Sequence, residues 1–314
     1  MTIQFAGSDI LVTGGTGSFG QTIVHQLLEA GASQVRVLSR DEAKQDTMRE
    51  RFSNDRISFI TGDVRDAPTV TTAMQGVQYV FHAAALKQVP NCERHPMEAI
   101  RTNTLGSENV RLAALTCKPE SVVAISTDKA CAPINTMGLS KALMERLFLQ
   151  DRRYSNESRF VCVRYGNVIG SRGSIVPLFE DRIRRGQPLP ITDPNMTRFL
   201  LHLSQAVETA LAAAIHGNHG ELWVRKMPAA TVENIVAAMA PKDYPTTVIG
   251  VRPGEKMHEV LVNEDEMRRA TDFGAHYVIG TIRGDLVGAY TSENTERLTV
   301  EELRDVLRQS RVVS

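Results

Sequence analysis

Along the first half of the chain, short apolar runs alternate with segments whose apolar residues recur at helical spacing. Ile10–Thr13, Val35–Leu38, Ile57–Ile60, Tyr79–His82, Val122–Ser126 and Phe160–Arg164 read as strands. Phe19–Ala30, Ala43–Phe52, Thr69–Met74, Met97–Leu115 and Thr136–Gln150 read as the helices between them. This alternation predicts a doubly wound α/β fold, a parallel sheet with helices on both faces. Ligands of such sheets bind beyond the carboxyl ends of the strands, so chemistry is expected just after each run. Past Val168 the pattern loosens. Gly170, Gly173, Pro177, Gly186, Pro188, Pro190 and Pro194 mark a loop-rich stretch around one basic helix, Ile175–Arg185. A good helix at Leu203–Ile215 and a short strand at Glu221–Val224 follow. From Met227 onward short elements are broken by Pro241, Pro245 and Pro253, and the chain ends in an amphipathic helix within Thr299–Ser314. This part reads as a smaller lobe capping the sheet.

Composition excludes more than it names. The 314 residues carry 36 basic and 36 acidic side chains, which argues against nucleic-acid or membrane-surface binding by bulk electrostatics. No apolar stretch approaches the roughly 20 residues that span a bilayer. Met1–Ile10 lacks the basic flank and apolar core of a secretion signal. Cys92, Cys117, Cys131 and Cys162 show no C-x-x-C spacing and read as reduced, mostly buried thiols of a cytoplasmic protein. No cluster of His, Cys, Asp or Glu has metal-ligand spacing, so no catalytic metal is expected. Only 8 of the basic residues are lysines, and a lysine just after a strand therefore stands out.

The first strand runs into Thr13-Gly14-Gly15-Thr16-Gly17-Ser18-Phe19-Gly20 and then a helix. Gly14, Gly17 and Gly20 keep a G-x-x-G-x-x-G spacing that lets backbone N–H groups and a helix N-terminus approach a pyrophosphate. A dinucleotide-binding (Rossmann) domain is expected over residues 1–167, with 199–225 returning to it; 168–198 and 226–314 form the remaining lobe. The second strand ends in Ser39 and Arg40, with Lys44 and Gln45 on the next helix. NAD binders place a carboxylate here, whereas these side chains suit a 2′-phosphate, so NADP is favoured over NAD. A solvated helix start with Asp41 as N-cap is the plainer reading of the same residues. Asp63 and Val64 after the third strand are expected at the adenine edge, with Ala83 and Ala84 after the fourth beside the dinucleotide.

After the fifth strand stand Ser126-Thr127-Asp128-Lys129-Ala130 and then Met137-Gly138-Leu139-Ser140-Lys141. Here the sequence resembles the extended short-chain dehydrogenases/reductases. Within them it is similar to the UDP-N-acetylglucosamine 4,6-dehydratases of bacterial polysaccharide and nonulosonate biosynthesis. The likeness covers Thr13–Gly20, Ser39–Gln45, Gly62–Asp66, His82–Pro90, Ser126–Lys141, Val163–Pro177, Ile191–Phe199 and Arg252–Val262. The phrases His82–Pro90, Arg164–Val168 and Arg252–His258 are far more specific than the glycine string. One position departs: the superfamily's Tyr-x-x-x-Lys is Met137-x-x-x-Lys141 here, and a thioether has no proton to give. A subgroup of these dehydratases, at the head of an N-acetyl-L-fucosamine route, also carries methionine there.

The resemblance implies a redox-neutral reaction. Hydride leaves C4 of the hexose, water is eliminated across C5–C6, and the hydride returns to C6, with inversion at C5. It implies Asp128 as the acid for the C6 hydroxyl and Lys129 as the C5 base, which asks for a raised aspartate pKa and a lowered lysine pKa. Thr127 and Ser126 are expected to orient the C4 oxygen, and Lys141 to hold the nicotinamide ribose. With tyrosine gone, the C4 proton is expected to leave through Lys129 or a water near Thr127. Tyr165 is placed at the nicotinamide end. Lys87, Asn167, Arg172, Arg252 and Glu255 are the candidates for sugar and diphosphate, though Glu255 equally suits a structural pair with a basic neighbour. His82 reads as a core residue. Similar enzymes form homo-oligomers, often hexamers. The alternatives are a nucleotide-sugar 4-epimerase and a non-catalytic NADP-binding homologue.

Overall fold

A computed structural model describes residues 5–150, 157–171, 174–280 and 284–312. In chain order its first half runs β1 (Asp9–Thr13), α1 (Ser18–Glu29), β2 (Gln34–Ser39), α2 (Glu42–Phe52), β3 (Ile57–Thr61), α3 (Ala67–Met74) and β4 (Tyr79–His82). Short helices α4 (Val89–Arg94) and α5 (Pro96–Ala99) lead through a π-helical turn at Ile100–Leu105 into α6 (Gly106–Cys117). Then come β5 (Ser121–Ile125), a 3₁₀ turn at Asp128–Ala130, α7 (Thr136–Phe148), β6 (Arg159–Arg164) and β7 (Asn167–Val168). The second half holds α8 (Ile175–Arg184), β8 (Leu189–Ile191), β9 (Thr197–Leu201), α9 (Leu203–His216), β10 (Leu222–Arg225), β11 (Ala229–Thr231), α10 (Val232–Met239) and β12 (Thr246–Val248). It closes with β13 (Val260–Val262), α11 (Glu264–Met267), β14 (Ala270–Phe273), β15 (His276–Ile279), β16 (Tyr290–Thr291) and α12 (Val300–Val312).

The main sheet has the order β14-β15-β10-β6-β5-β4-β1-β2-β3. From β3 to β10 neighbouring strands are parallel, with Ile10 opposite both Val35 and Tyr79. Strands such as Ser121–Ile125 are buried throughout, as a sheet covered on both faces requires. The core joins these strands to α1, α6, α7 and the alanine-rich face of α9. Strand order reverses between β1 and β4, and this switch point opens a crevice at the carboxyl edge.

Two expectations change. The hairpin β14–β15 lies in the stretch assigned from sequence to the lobe, yet it pairs antiparallel with β10 and extends the sheet. Its alternation is too short to show, and Gly274, at φ 63°, makes the turn. The single helix expected over Met97–Leu115 is broken by the π turn, which brings Asn103 inward. The Asn103 amide donates to Leu86 O at 2.9 Å, and its oxygen accepts from Leu86 N at 2.7 Å, so the turn pins the segment after β4. A second, smaller core around Ile169, Phe179, Ile191, Met196 and Leu303 forms the C-terminal lobe. Among the described residues no helix is long and apolar enough to cross a membrane.

Candidate active site

A cleft of about 1090 Å³ runs along the carboxyl edge of the sheet, from the β2–β3 end to the lobe. Its first wall is backbone. Gly14 sits at φ 70°, and a Cβ there would lie 2.7 Å from Ala84 N, so only glycine lets this turn press on the segment after β4. Helix α1 starts without a side-chain cap at Gly17. Its first-turn N–H groups are left for the cleft, lined here by Gly14, Thr16, Gly17, Ser18, Phe19 and Gly20. Such an uncapped N-terminus fits a dinucleotide pyrophosphate.

Ser39, Arg40, Lys44, Asp63, Val64, Ala83 and Ala84 line the same end. Ser39 and Thr16 hydroxyls lie 2.8 Å apart. Asp41 caps α2 and pairs with Lys44, so the helix-start reading of this stretch is realised in the same residues. Arg40, half-exposed, reaches Asp63 at 3.3 Å.

The other end is built from charge. The Thr127 side chain caps the 3₁₀ turn, and Asn135 caps α7 through Gly138 N. A Cβ on Gly138 would fall 2.2 Å from Lys129 O, so this glycine lets α7 seat against the turn and fixes where Lys129 starts. Lys129 Nζ lies 3.1 Å from Asp128 Oδ1 and 3.3 Å from Glu259 Oε1. Burial pulls the Lys129 pKa down, but the two carboxylates outweigh it and hold the ammonium above its ordinary value. This corrects the expectation of a lowered lysine pKa: Asp128, together with a second carboxylate, Glu259, that sequence spacing does not reveal, outweighs burial.

Thr127 and Lys129 line the cleft, whereas Asp128 is 1% exposed and lies behind them. The Thr127 hydroxyl donates to Asp128 Oδ1 at 2.8 Å. Asp128 Oδ2 and Glu259 Oε2 are buried without hydrogen-bond partners among the described residues.

Beneath this turn lies an ion cluster. Arg164, 1% exposed, bonds Glu145 at 2.6 Å and Glu266 at 2.8 Å, and Ser126 donates to Glu145. Lys256 Nζ holds Cys131 O at 2.7 Å. The cluster ties β6, α7 and α11 together exactly where the turn needs support from both halves of the chain.

Met137 occupies the cleft wall one helical turn before Lys141, nearly buried beside Cys92 and Ala99. Burial lowers the Lys141 pKa to about 8. Tyr165 stacks on Phe19 with centroids 6.3 Å apart, and burial raises its phenol pKa, so it is no substitute for a cation-activated tyrosine. His82 bridges Thr13 at 2.7 Å and Ser107 at 2.8 Å, and burial lowers its pKa to about 3; it is a neutral core residue.

Lys87, on the segment after β4, and Asn167, Arg252 and Glu255 also line the cleft. Arg252 and Glu255 pair at 3.6 Å on a turn held by Asn135. Arg172 lies outside the described residues. Three lining or supporting residues escape sequence reasoning: Glu259, Asn103 and Arg198. Arg198 donates to the carbonyls of Thr197 and Lys256 and stands 4.0 Å from Glu259. Arg198 and Glu259 both fall inside the family phrases Ile191–Phe199 and Arg252–Val262, which is the signal that could have found them.

Residues 10–281 match the family described as Polysaccharide biosynthesis protein. The chain is 44% identical to a Rickettsia rickettsii protein named UDP-glucose 4-epimerase, over 97% of this chain and 96% of that one. Its fold matches the X-ray structure of Pen from Bacillus thuringiensis with a TM-score of 0.93 and 36% identity, covering 97% and 98% of the two chains. It matches DesIV, a dTDP-glucose 4,6-dehydratase from Streptomyces venezuelae solved with NAD bound, with a TM-score of 0.76, 20% identity and 97% of each chain covered. That last likeness is one of fold.

Proposed function

The chain belongs to the polysaccharide biosynthesis protein family, and from that premise we propose that it is an NADP-dependent nucleotide-sugar 4,6-dehydratase acting on UDP-N-acetylglucosamine. The observation that carries this reading is the Asp128–Lys129 pair on the turn after β5, an acid–base pair that elimination across C5–C6 needs and simple epimerisation does not. Gly14 and Gly17–Gly20 would hold the pyrophosphate, Ser39, Arg40 and Lys44 the 2′-phosphate, and Lys141 the nicotinamide ribose. A nicotinamide dinucleotide held by these residues would supply a hydride acceptor toward C4 and a hydride donor toward C6. Lys87, Asn167, Arg198, Arg252 and Glu255 surround the space left for the sugar and its diphosphate; a guanidinium fork suits phosphate oxygens. Met137 leaves that wall without an ionisable hydroxyl.

The 4-epimerase name of the relatives supports a second reading, in which the hydride returns to C4 and no water leaves. Mass spectrometry of UDP-N-acetylglucosamine incubated with the protein and NADP⁺ separates the two. Loss of one water with a new carbonyl is expected. An isomer of unchanged mass would favour the epimerase, and no water loss from any UDP- or dTDP-hexose would sink the dehydratase.

A further inference from the structure

Oxidising C4 to a ketone requires a group that takes its hydroxyl proton, and position 137 offers none. Lys129 is poorly suited, because an ammonium between two carboxylates has no lone pair to offer. Tyr165 has a phenol in the cleft, but burial raises its pKa and no cation among the described residues is placed to activate it. Lys141 Nζ is buried and turned to the Met144 sulfur at 2.9 Å, and Ser126 gives its proton to Glu145. That leaves the Thr127 hydroxyl, which stands on the cleft wall with its proton directed at Asp128 Oδ1. Asp128 itself is sealed behind that wall, and its other oxygen has no partner among the described residues. It therefore meets a substrate through Thr127. Resting on the 4,6-dehydratase reading, we propose that Thr127 relays the C4 hydroxyl proton to Asp128, which stores it and returns it by the same hydroxyl to the departing C6 oxygen. In the same cycle Glu259 takes the proton of Lys129 and frees that amine for C5.

The protons and electrons balance. As C4 loses its hydride, the C4 O–H proton passes to Thr127 Oγ1 while the Thr127 proton moves to Asp128. Protonated Asp128 no longer helps to hold the ammonium, and the Lys129 proton passes to Glu259, whose Oε1 is 3.3 Å away. Neutral Lys129 removes the C5 proton, the C6–O bond breaks, and Asp128 gives its stored proton to make water. The hydride that left C4 then adds at C6, a proton from solvent reaches the opposite face of C5, and Glu259 releases to solvent the proton it took, while Lys129 keeps the one it drew from C5. Each side chain ends as it began, and the sugar has lost one water. The proton that a tyrosine would have passed on leaves with that water.

Two reactions separate the relay from the rest of the site: water release from UDP-N-acetylglucosamine, and deuterium exchange at C5 of the isolated 4-keto product in D₂O. Exchange needs Lys129 and Glu259 but no oxidation at C4. Thr127→Val is expected to slow water release by about 10²–10⁴-fold, the usual worth of a positioned proton-transfer group, while C5 exchange stays within a few-fold. Thr127→Ser is expected to restore most of the water release, and Glu259→Gln to slow exchange and water release together. The relay is overturned if Thr127→Val releases water at the parent rate, if it loses exchange equally, or if Thr127→Ser rescues nothing. Should the unaltered protein release no water from any UDP-hexose, the dehydratase reading falls first and the relay with it.

Discussion

At the β1–α1 end of the cleft the ligand-facing surface is backbone, and its charged side chains Arg40 and Lys44 sit in exposed pairs. At the β5–α7 end the surface is side chain, and Asp128, Lys129, Glu259, Arg164, Glu145 and Glu266 are held mostly by one another, largely out of water. The first arrangement suits a ligand that brings its own charge and is recognised by fixed N–H groups. The second suits a reaction in which protons move between groups whose charges are coupled. Exposed pairs contribute little to stability, whereas a buried pair deprived of one partner leaves a charge with nowhere to go.

The sharpest way to break this contrast is Arg164→Met, which strands Glu145 and Glu266. It is expected to cost about 3–5 kcal/mol in urea unfolding, and an effect below that range would mean the cluster is not the support described. The cluster also sets an acid limit. Burial raises the Glu266 pKa, but Arg164 outweighs it and holds it below the usual carboxylate range. The stabilisation is therefore complete above the ordinary carboxylate pKa and is lost as pH falls through the lower folded value. A melting-temperature profile should fall across that acid window, and fall less steeply in Arg164→Met.

One glycine at each end provides the next test. Gly138→Ala forces a methyl into Lys129 O and is expected to slow water release by about 10²-fold, the effect of an ångström of misplacement, with NADP affinity kept. Gly14→Ala clashes with Ala84 backbone at positive φ and is expected to weaken NADP in fluorescence titration by about tenfold or more, about 1–3 kcal/mol of strain. If either variant damages both ends equally, the two are not built separately. The smallest effect belongs to Arg40→Ala. Its exposed pair predicts an unfolding change of about 1 kcal/mol or less, while the proposed preference for NADP over NAD is expected to fall in competition titrations.

The same contrast governs how much the sequence reveals. The parallel strands, the glycine turn and its helix are local patterns, and they were legible because strand burial and turn geometry depend on near neighbours. Thr127, Lys129, Met137 and Lys141 were legible as residues after a strand or on the next helix. Their electrostatics were not, because Glu259, Glu266 and Arg198 reach the turn from far along the chain, and no periodicity encodes that meeting. The π turn at Ile100–Leu105 is hidden for a related reason: its sequence has ordinary helical spacing, and the bond that accompanies it runs from Asn103 to Leu86, far back along the chain.

UDP-N-acetylglucosamine carrying deuterium at C4 tests the central claim most directly. The account predicts a product lighter by one water whose deuterium sits in the C6 methyl group, with a carbonyl at C4. A sugar of unchanged mass with its deuterium still at C4 and that centre inverted would contradict it.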